Sequence, residues 1–164
     1  MSADYEGSVE EVHRAFSETD YWLARLADSG VDDAKLESMR VSDGTIEVVT
    51  LQVVHSHNLP GLITQFHRGD LCIRREEDWG PITDGNATAS IVGSILDAPV
   101  NLSGTAVLSP IAASGGARVE FRVTVQVRIP LVGGKLEKLI GDSVLTNLVA
   151  TEQHFTTTWI ANRA

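Results

Sequence analysis

The last third of the chain constrains the fold most, because a strictly alternating strand gives way there to a long helix. Over residues 118–129, charged or polar side chains alternate with apolar ones: Val119, Phe121, Val123, Val125, Val127 and Ile129. One face of this strand is therefore apolar and the other faces water, as in an antiparallel sheet that is covered on one side. The sequence Pro-Leu-Val-Gly-Gly at 130–134 ends the alternation.

Residues 135–162 predict one long terminal helix. No proline interrupts them, and apolar side chains recur at steps of three and four: Leu136, Leu139, Ile140, Val144, Leu148, Phe155 and Trp159. A helix of about 28 residues is about 42 Å long, which is enough to cover the apolar face of several strands. We therefore expect an α+β fold in which a curved antiparallel sheet wraps around this helix.

The preceding residues predict two short helices and a sheet of six to seven strands. Ser8 and Glu11 have the spacing of a capping box, and residues 17–20 resemble a second helix start. Six alternating segments joined by short turns then follow: 36–41, 45–55, 71–79, 87–96, 100–108 and 118–129. Residues 1–7 are a weaker candidate for a first strand. Such short turns leave no room for the crossover helices of a parallel sheet, so a dinucleotide-binding α/β domain is excluded.

Composition limits the possible partners and the compartment. The 164 residues fit a single domain (1–164), and 22 acidic against 13 basic residues give a net charge of -9. This charge repels phosphate backbones, so we expect no nucleic-acid partner. Cys72 is the single cysteine, which excludes an internal disulfide. The sequence contains no signal peptide and no apolar run of about 20 residues, so we expect a cytoplasmic protein without a transmembrane segment.

A row of small polar residues interrupts the apolar arc of the terminal helix. Ser143, Asn147 and Thr151 are four residues apart and so stack along one line of the helix. An unpartnered buried polar group costs about 1 to 3 kcal/mol, so the row faces either a cavity or the margin of the interface. The far side of the helix carries three apolar residues that would form a small partner surface or scattered exposed positions: Leu145, Val149 and Ile160.

Candidates for catalysis or metal binding are few. His55 and His57 share a face at a strand end, but zinc needs three or four ligands and no further residue repeats their spacing. Glu76, Glu77 and Asp78 could supply a general base, yet each side of that strand can pair these carboxylates with neighbouring arginines. We expect a salt-bridged, exposed strand end there, and no catalytic residue, metal or cofactor.

Three stretches of the chain resemble the helix-grip superfamily of START and pollen-allergen-like domains. They are residues 8–16 (Ser-Val-Glu-Glu-Val-His-Arg-Ala-Phe), 77–81 (Glu-Asp-Trp-Gly-Pro) and 129–137 (Ile-Pro-Leu-Val-Gly-Gly-Lys-Leu-Glu). The chain looks most like an uncharacterised bacterial branch of that superfamily. The resemblance implies a seven-stranded sheet curled around the terminal helix, with two small helices closing one end of an internal cavity. Relatives bind lipids, sterols, polyketides or hormones and some are cyclases, but the branch lends no catalytic residues.

The leading functional hypothesis is binding or transport of a small hydrophobic, lipid-like or polyketide-like ligand in that cavity. Eight residues are predicted to line it: Trp22, Trp79, Phe121, Val123, Val125, Asn147, Thr151 and Phe155. Two alternatives are a protein-interaction module without a ligand and a cyclase or hydrolase that uses His55, His57 or Glu77. We expect a monomer or a weak homodimer.

Overall fold

Seven strands form one antiparallel sheet that curves around the C-terminal helix. The computed structural model describes residues 1–163. The strands are β1 (Ser2–Tyr5), β2 (Asp33–Ser42), β3 (Thr45–Val54), β4 (Leu71–Trp79), β5 (Ala87–Ile95), β6 (Val100–Pro110) and β7 (Ala117–Val127). Their order across the sheet is β1-β7-β6-β5-β4-β3-β2, and every neighbouring pair is antiparallel. The predicted α+β fold class is confirmed, with the weak first strand in place at one edge.

The helices lie at the two ends of the chain and in the β3–β4 connection. They are α1 (Val9–Phe16), α2 (Thr19–Asp28), a 3-10 turn (Ser56–Asn58), the short α3 (Gly61–Thr64), and a terminal helix made of α4 (Gly133–Leu139), a π-helical segment (Ile140–Val144) and α5 (Leu145–Ala161). The long terminal helix and the two N-terminal helices were therefore predicted correctly. The π-helical segment was not foreseen.

The α1 helix begins with the predicted capping box. The α2 helix does not begin with the cap predicted at residues 17–20. The Glu11 amide donates to Ser8 Oγ at 3.2 Å, and the Ser8 amide donates to the Glu11 carboxylate at 2.8 Å. Ser17 instead donates its hydroxyl back to the Arg14 carbonyl at 2.6 Å. The α2 helix begins at Thr19 with no side-chain cap, because Ser17 closes the end of α1.

The inner face of the sheet is buried at one end and half-exposed at the other. At the buried end, the inward-pointing residues pack against α1, α2 and α5, and include Ile46, Val48, Trp79, Ala89, Ile91, Ala106, Leu108 and Val119. Towards the other end of these strands, Leu71 and Val127 at the strand ends are buried again, and seven positions of the same parity are half-buried: Gln52, Val54, Ile73, Ile95, Leu102, Val123 and Val125. We call these two regions the filled half and the open half.

The π-helical segment decides which residues of the terminal helix face the sheet. On a regular helix, the line that starts at the buried Leu136 continues through positions 143 and 147. A π turn holds an additional residue, so the inward line is displaced by one position and continues through Leu148 and Glu152. Ser143, Asn147 and Thr151 are exposed, which favours the interpretation that this row lies outside the core.

Gly104, in the middle of β6, allows the backbones of β6 and β7 to come close together. A Cβ atom at this position would lie 2.3 Å from the Arg122 carbonyl oxygen and 2.9 Å from the Val123 Cα. Backbone atoms of a paired strand cannot move aside cheaply, so no other residue fits without forcing the two strands apart.

The change Gly104→Ala is expected to lower the free energy of unfolding by about 1 to 3 kcal/mol, the usual cost of overpacking. Urea denaturation followed by far-ultraviolet circular dichroism measures it. Gly134→Ala in α4 is the control, since its added Cβ meets nothing within 4 Å, and it should be neutral or slightly stabilising. Equal stability of the two variants would refute the steric role of Gly104.

Candidate functional site

The open half forms a partly uncovered groove between the sheet and the terminal helix. The wall on the sheet side is apolar, with Leu102, Val123 and Val125 half-buried on β6 and β7. The wall on the helix side carries Leu145 and Val149, which are also half-buried. A run of apolar side chains that stays partly accessible on both walls is typical of a ligand groove.

A cleft of about 770 Å³ opens at the β7 border of this groove. It is lined on the sheet side by Phe121, Val123 and Val125 together with polar residues that include Ser103, Thr105, Arg122 and Thr124, and on the helix side by Gly141, Asp142 and Leu145. Its volume lies within the range of about 300 to 1,000 Å³ that is usual for small-molecule sites.

Four charged side chains lie between α2, β4 and α5, at the boundary between the filled and open halves. They are Arg25, Arg75, Glu77 and Glu152, with side chains 11%, 15%, 5% and 16% exposed. We call them the ionic cluster. Arg75 is opposite Thr50 of β3 and Gly93 of β5, at the level where burial of the inner face begins to decrease.

The ionic cluster is a closed network of ion pairs. Arg75 bonds the Glu152 carboxylate with both terminal nitrogens, at 2.6 and 3.2 Å, and its Nη2 contacts Glu77 Oε1 at 2.6 Å. Arg25 pairs with Glu152 and lies 3.6 Å from Glu77. Two positive and two negative groups thus neutralise one another, which buried charges require.

Aromatic side chains form the wall of the ionic cluster on the filled side. The Arg25 guanidinium lies 4.6 Å from the ring centroid of Trp22, a cation–π contact. The Trp79 indole donates to Glu77 at 3.1 Å, and the Tyr21 hydroxyl bonds the Thr156 hydroxyl at 2.7 Å. One donor of the cluster, Arg75 Nε, is buried without a hydrogen-bond partner among residues 1–163.

The charges of the cluster shift one another's pKa values. Burial alone would favour a neutral Glu152, but Arg25 and Arg75 outweigh it and lower the pKa of Glu152 to about 2. In the same way, burial opposes the charge of each arginine, and the attraction of Glu152 prevails and raises the pKa of both Arg25 and Arg75. Arg25, Arg75 and Glu152 therefore stay ionised across the physiological pH range.

The residues predicted to line a cavity lie in three different environments. Trp22 and Trp79 are 1% exposed in the filled half, and Phe155 packs beside them against the same core. Phe121, Val123 and Val125 line the cleft. Asn147 and Thr151 are exposed on the outer side of the helix, where the Thr151 hydroxyl donates to the Asn147 carbonyl at 2.9 Å.

The apolar residues predicted for a partner surface point inward instead. Val149 and Ile160 pack against the buried core, and Leu145 lines the cleft. The displacement at the π-helical segment is the reason, because it rotates all of α5 relative to a regular helix.

The two histidines lie away from the ionic cluster, in the β3–β4 connection. Their rings are 5.6 Å apart, and the Asp32 carboxylate, which accepts from the His55 amide at 2.7 Å, lies 3.8 Å from His55 Nδ1. Glu77 is occupied by Trp79 and the arginines. Residues 1–163 contain no group of three or more potential ligands that could hold a metal ion.

Across this same range, no helix has both the length and the apolar character to cross a membrane.

The prediction of an exposed strand end at residues 76–78 was wrong for Glu77 and its neighbour Arg75. Alternation placed Arg75, Glu77 and Trp79 on one face correctly, and that face is the buried one. The signal that could have found the cluster is the buried Trp79, because a tryptophan in phase with two charges indicates that all three point inward.

Glu152→Gln is expected to destabilise the protein by about 3 to 5 kcal/mol, because it leaves two buried arginines with one carboxylate. The pKa of Glu152 is lower in the folded protein than its ordinary value of 4.5, so its contribution is complete above pH 4.5 and is lost as the pH falls towards about 2. Chemical denaturation at several pH values should show this loss in the natural protein and a weaker one in the variant.

Glu120→Gln, at an exposed position on β7, is the control and should change little. An unchanged stability of Glu152→Gln at neutral pH would contradict the assigned ion pairing.

Several solved structures share this architecture. TTHA0849 from Thermus thermophilus has a TM-score of 0.64 at 17% identity, and the match covers 100% of this chain and 97% of that one. A STAR-related lipid transfer protein (fragment 25-204) from Xanthomonas axonopodis has a TM-score of 0.51 at 13% identity, covering 93% and 83%. At these identities the likeness concerns the fold, and it confirms the predicted START-like helix-grip fold.

Close relatives by sequence occur in mycobacteria. The uncharacterized proteins Rv0481c of Mycobacterium tuberculosis (strain ATCC 25618 / H37Rv) and Mb0491c of Mycobacterium bovis (strain ATCC BAA-935 / AF2122/97) are each 70% identical over 167 residues, covering 99% of this chain and 95% of theirs. The model of a family described as "Protein of unknown function (DUF2505)" matches residues 1–160. The chain therefore belongs to the DUF2505 family and has a START-like helix-grip fold.

Proposed function

We propose that the protein binds, and carries, a small hydrophobic ligand in the groove of the open half. The observation that supports this most is the contrast between the two halves of one sheet face. Strands β6 and β7 bury Leu108 and Val119 completely, and they leave Leu102, Val123 and Val125 only half-buried. Apolar groups held at a groove without a protein partner gain free energy when a ligand covers them, about 25 cal/mol per Å².

The ligand of this proposal has an apolar body and one polar end. The body lies against Phe121, Val123 and Val125, which line the cleft. The polar end accepts from the ionic cluster, where Arg75 Nε is a buried donor without a partner among residues 1–163. A sparse polar group within an apolar groove fixes the orientation of a ligand.

The remaining predicted residues take different parts in this proposal. Trp22, Trp79 and Phe155 form the closed end of the groove and hold the ionic cluster in place. Asn147 and Thr151 face away from it. The chain acts as a single helix-grip domain and as a monomer in this proposal.

The comparison adds support from outside the chain. The Xanthomonas axonopodis protein that shares the fold is described as a lipid transfer protein. We propose the same ligand class for this chain on the basis of its groove. The interaction-module alternative loses its predicted surface, because Leu145, Val149 and Ile160 turn inward. The cyclase or hydrolase alternative loses its candidate general base, because the Glu77 carboxylate is paired with Arg75 and accepts from the Trp79 indole.

Native mass spectrometry of the purified protein tests the proposal, with the denatured mass as reference. We expect a defined excess mass that an organic extract identifies as an apolar molecule with one polar end. Val125→Trp should abolish the excess mass, because the larger ring fills the groove. Val92→Trp is the matched control, since Val92 is 50% exposed on the outer face of β5, and it should retain the ligand.

A clean apo mass for the natural protein, together with no uptake of added fatty acids or sterols, would reject the proposal. Retention of the ligand by Val125→Trp would place the site elsewhere in the molecule.

A further inference from the structure

We propose that the free edge of β7 is a docking site for an extended peptide segment. The peptide adds a strand next to β7, in line with β1. The peptide carries apolar β-branched residues opposite Val123 and Val125, an acidic residue opposite Arg122 and a basic residue opposite Gln126. The peptide pairs with the backbone of the sheet edge, and it shares the cleft lined by Phe121, Val123 and Val125 with the ligand proposed above.

The β1 strand covers only the first part of the β7 edge. Its register pairs Ser2–Tyr5 with residues 117–120 of β7. The last bonds of this ladder are made at Phe121, whose amide donates to the Met1 carbonyl at 2.8 Å and whose carbonyl accepts from the Met1 ammonium at 3.2 Å. Beyond Phe121, the edge of β7 has no neighbouring strand among residues 1–163.

The backbone groups of Val123 and Val125 point toward the free side. Bonding groups alternate along an antiparallel strand, so residues with the parity of Phe121 direct their amides and carbonyls away from β6. The next residue of this parity, Val127, donates its amide to the Glu137 carboxylate at 2.9 Å. Between Met1 and Glu137, within the described part of the chain, no group bonds the amides of Val123 and Val125 on that side.

The cleft borders the unpaired part of β7. It is lined by five consecutive β7 residues, Phe121 to Val125, whose side chains alternate between the two faces of the sheet, and by Ser103, Gly104 and Thr105 of the neighbouring β6. Gly141, Asp142 and Leu145 of the terminal helix line it from the other side.

The unpaired part of the β7 edge, residues 122–126, is called the window. It is bounded at both ends, which favours a single extended segment as its partner. Met1 closes it at one end, Glu137 closes it at the other, and about five residues of β7 remain free between them. A second copy of this chain would have to bring an edge strand together with the rest of its seven-stranded sheet into this space. An extended peptide needs only its own backbone, as in strand addition to other sheet edges.

Charges at the two ends of the window indicate the chemistry and direction of the peptide. Across the existing β1–β7 pair, Arg118 bonds Asp4 directly opposite it at 2.6 and 2.7 Å. Arg122 repeats the position of Arg118 four residues further along β7, is exposed, and has no ion pair within residues 1–163. An acidic peptide residue opposite Arg122 reproduces this contact, and a basic residue at the far end faces Glu137.

The probe is the acetylated and amidated peptide Lys-Val-Thr-Val-Glu, which runs antiparallel to β7 in this register. The control peptide is Glu-Val-Thr-Val-Lys, which has the same composition. It places its lysine opposite Arg122 and its glutamate near Glu137, so that like charges meet. Amide hydrogen exchange of the natural protein, followed residue by residue with nuclear magnetic resonance, is the readout. At a peptide concentration about ten times Kd, exchange at Val123 and Val125 should slow about tenfold, whereas the control peptide should have little effect.

Two variants make the test specific. Val125→Pro removes an amide that bonds nothing in β6, a substitution that sheet edges tolerate, and it should abolish protection at Val123. Arg122→Glu keeps the backbone and should reverse the preference between the two peptides. A thermal melt establishes that each variant is folded, and Arg122→Glu remains informative if Val125→Pro does not fold.

The proposal is overturned if neither peptide slows exchange at Val123 and Val125, or if both slow it equally and Arg122→Glu changes nothing. It is also overturned if these amides become protected with rising protein concentration alone, which would assign the edge to a second copy of the chain. A hydrophobic molecule bound beneath the helix without protection of these amides would leave the ligand proposal standing while this one fails.

Discussion

The burial of four charges between α2, β4 and α5 is the constraint on which the arrangement of this molecule depends. Removing an ion from water costs several kcal/mol even in a relaxed protein, so each of these groups is tolerable only with its partners in place. Glu152 meets both arginines only when α5 has one particular rotation about its axis. The ionic cluster thus stabilises the helix rotation that the π-helical segment produces, and apolar contacts alone, which are non-directional, would stabilise it less specifically.

This rotation divides the protein into two regions with different roles. On one side of the cluster, Phe16 packs against Trp22 and Trp79 with ring centroids 6.2 and 5.1 Å apart, and the inner face of the sheet is closed. On the other side, the helix carries Leu145 and Val149 over a surface that they do not close. A stable core and a partly uncovered apolar groove therefore coexist beneath one helix, with the ionic cluster as the border between them.

The predictions that succeeded rest on local rules, and those that failed depend on distant partners. The turn at Asp43 and Gly44 follows from such a local rule, because tight hairpins need positive φ angles, and the structure has 51° and 80° there. Thr151 and Glu152 are adjacent in the sequence, and only the π-helical segment puts the glutamate inside and the threonine outside. Projection on a regular helix cannot show this displacement, because a single added residue rotates everything that follows it.

The sequence by itself determined most of the elements and their order: two short helices, six to seven strands, and a helix long enough to cover them. Hydrophobic periodicity and turn chemistry act over a few residues, so they can be read from the chain directly. Tertiary structure decided that Arg75 and Glu77 are buried and that, within residues 1–163, no strand pairs with the β7 edge past Phe121. Both depend on groups far apart in the chain, namely Glu152 and Arg25 for the cluster and the short β1 for the edge.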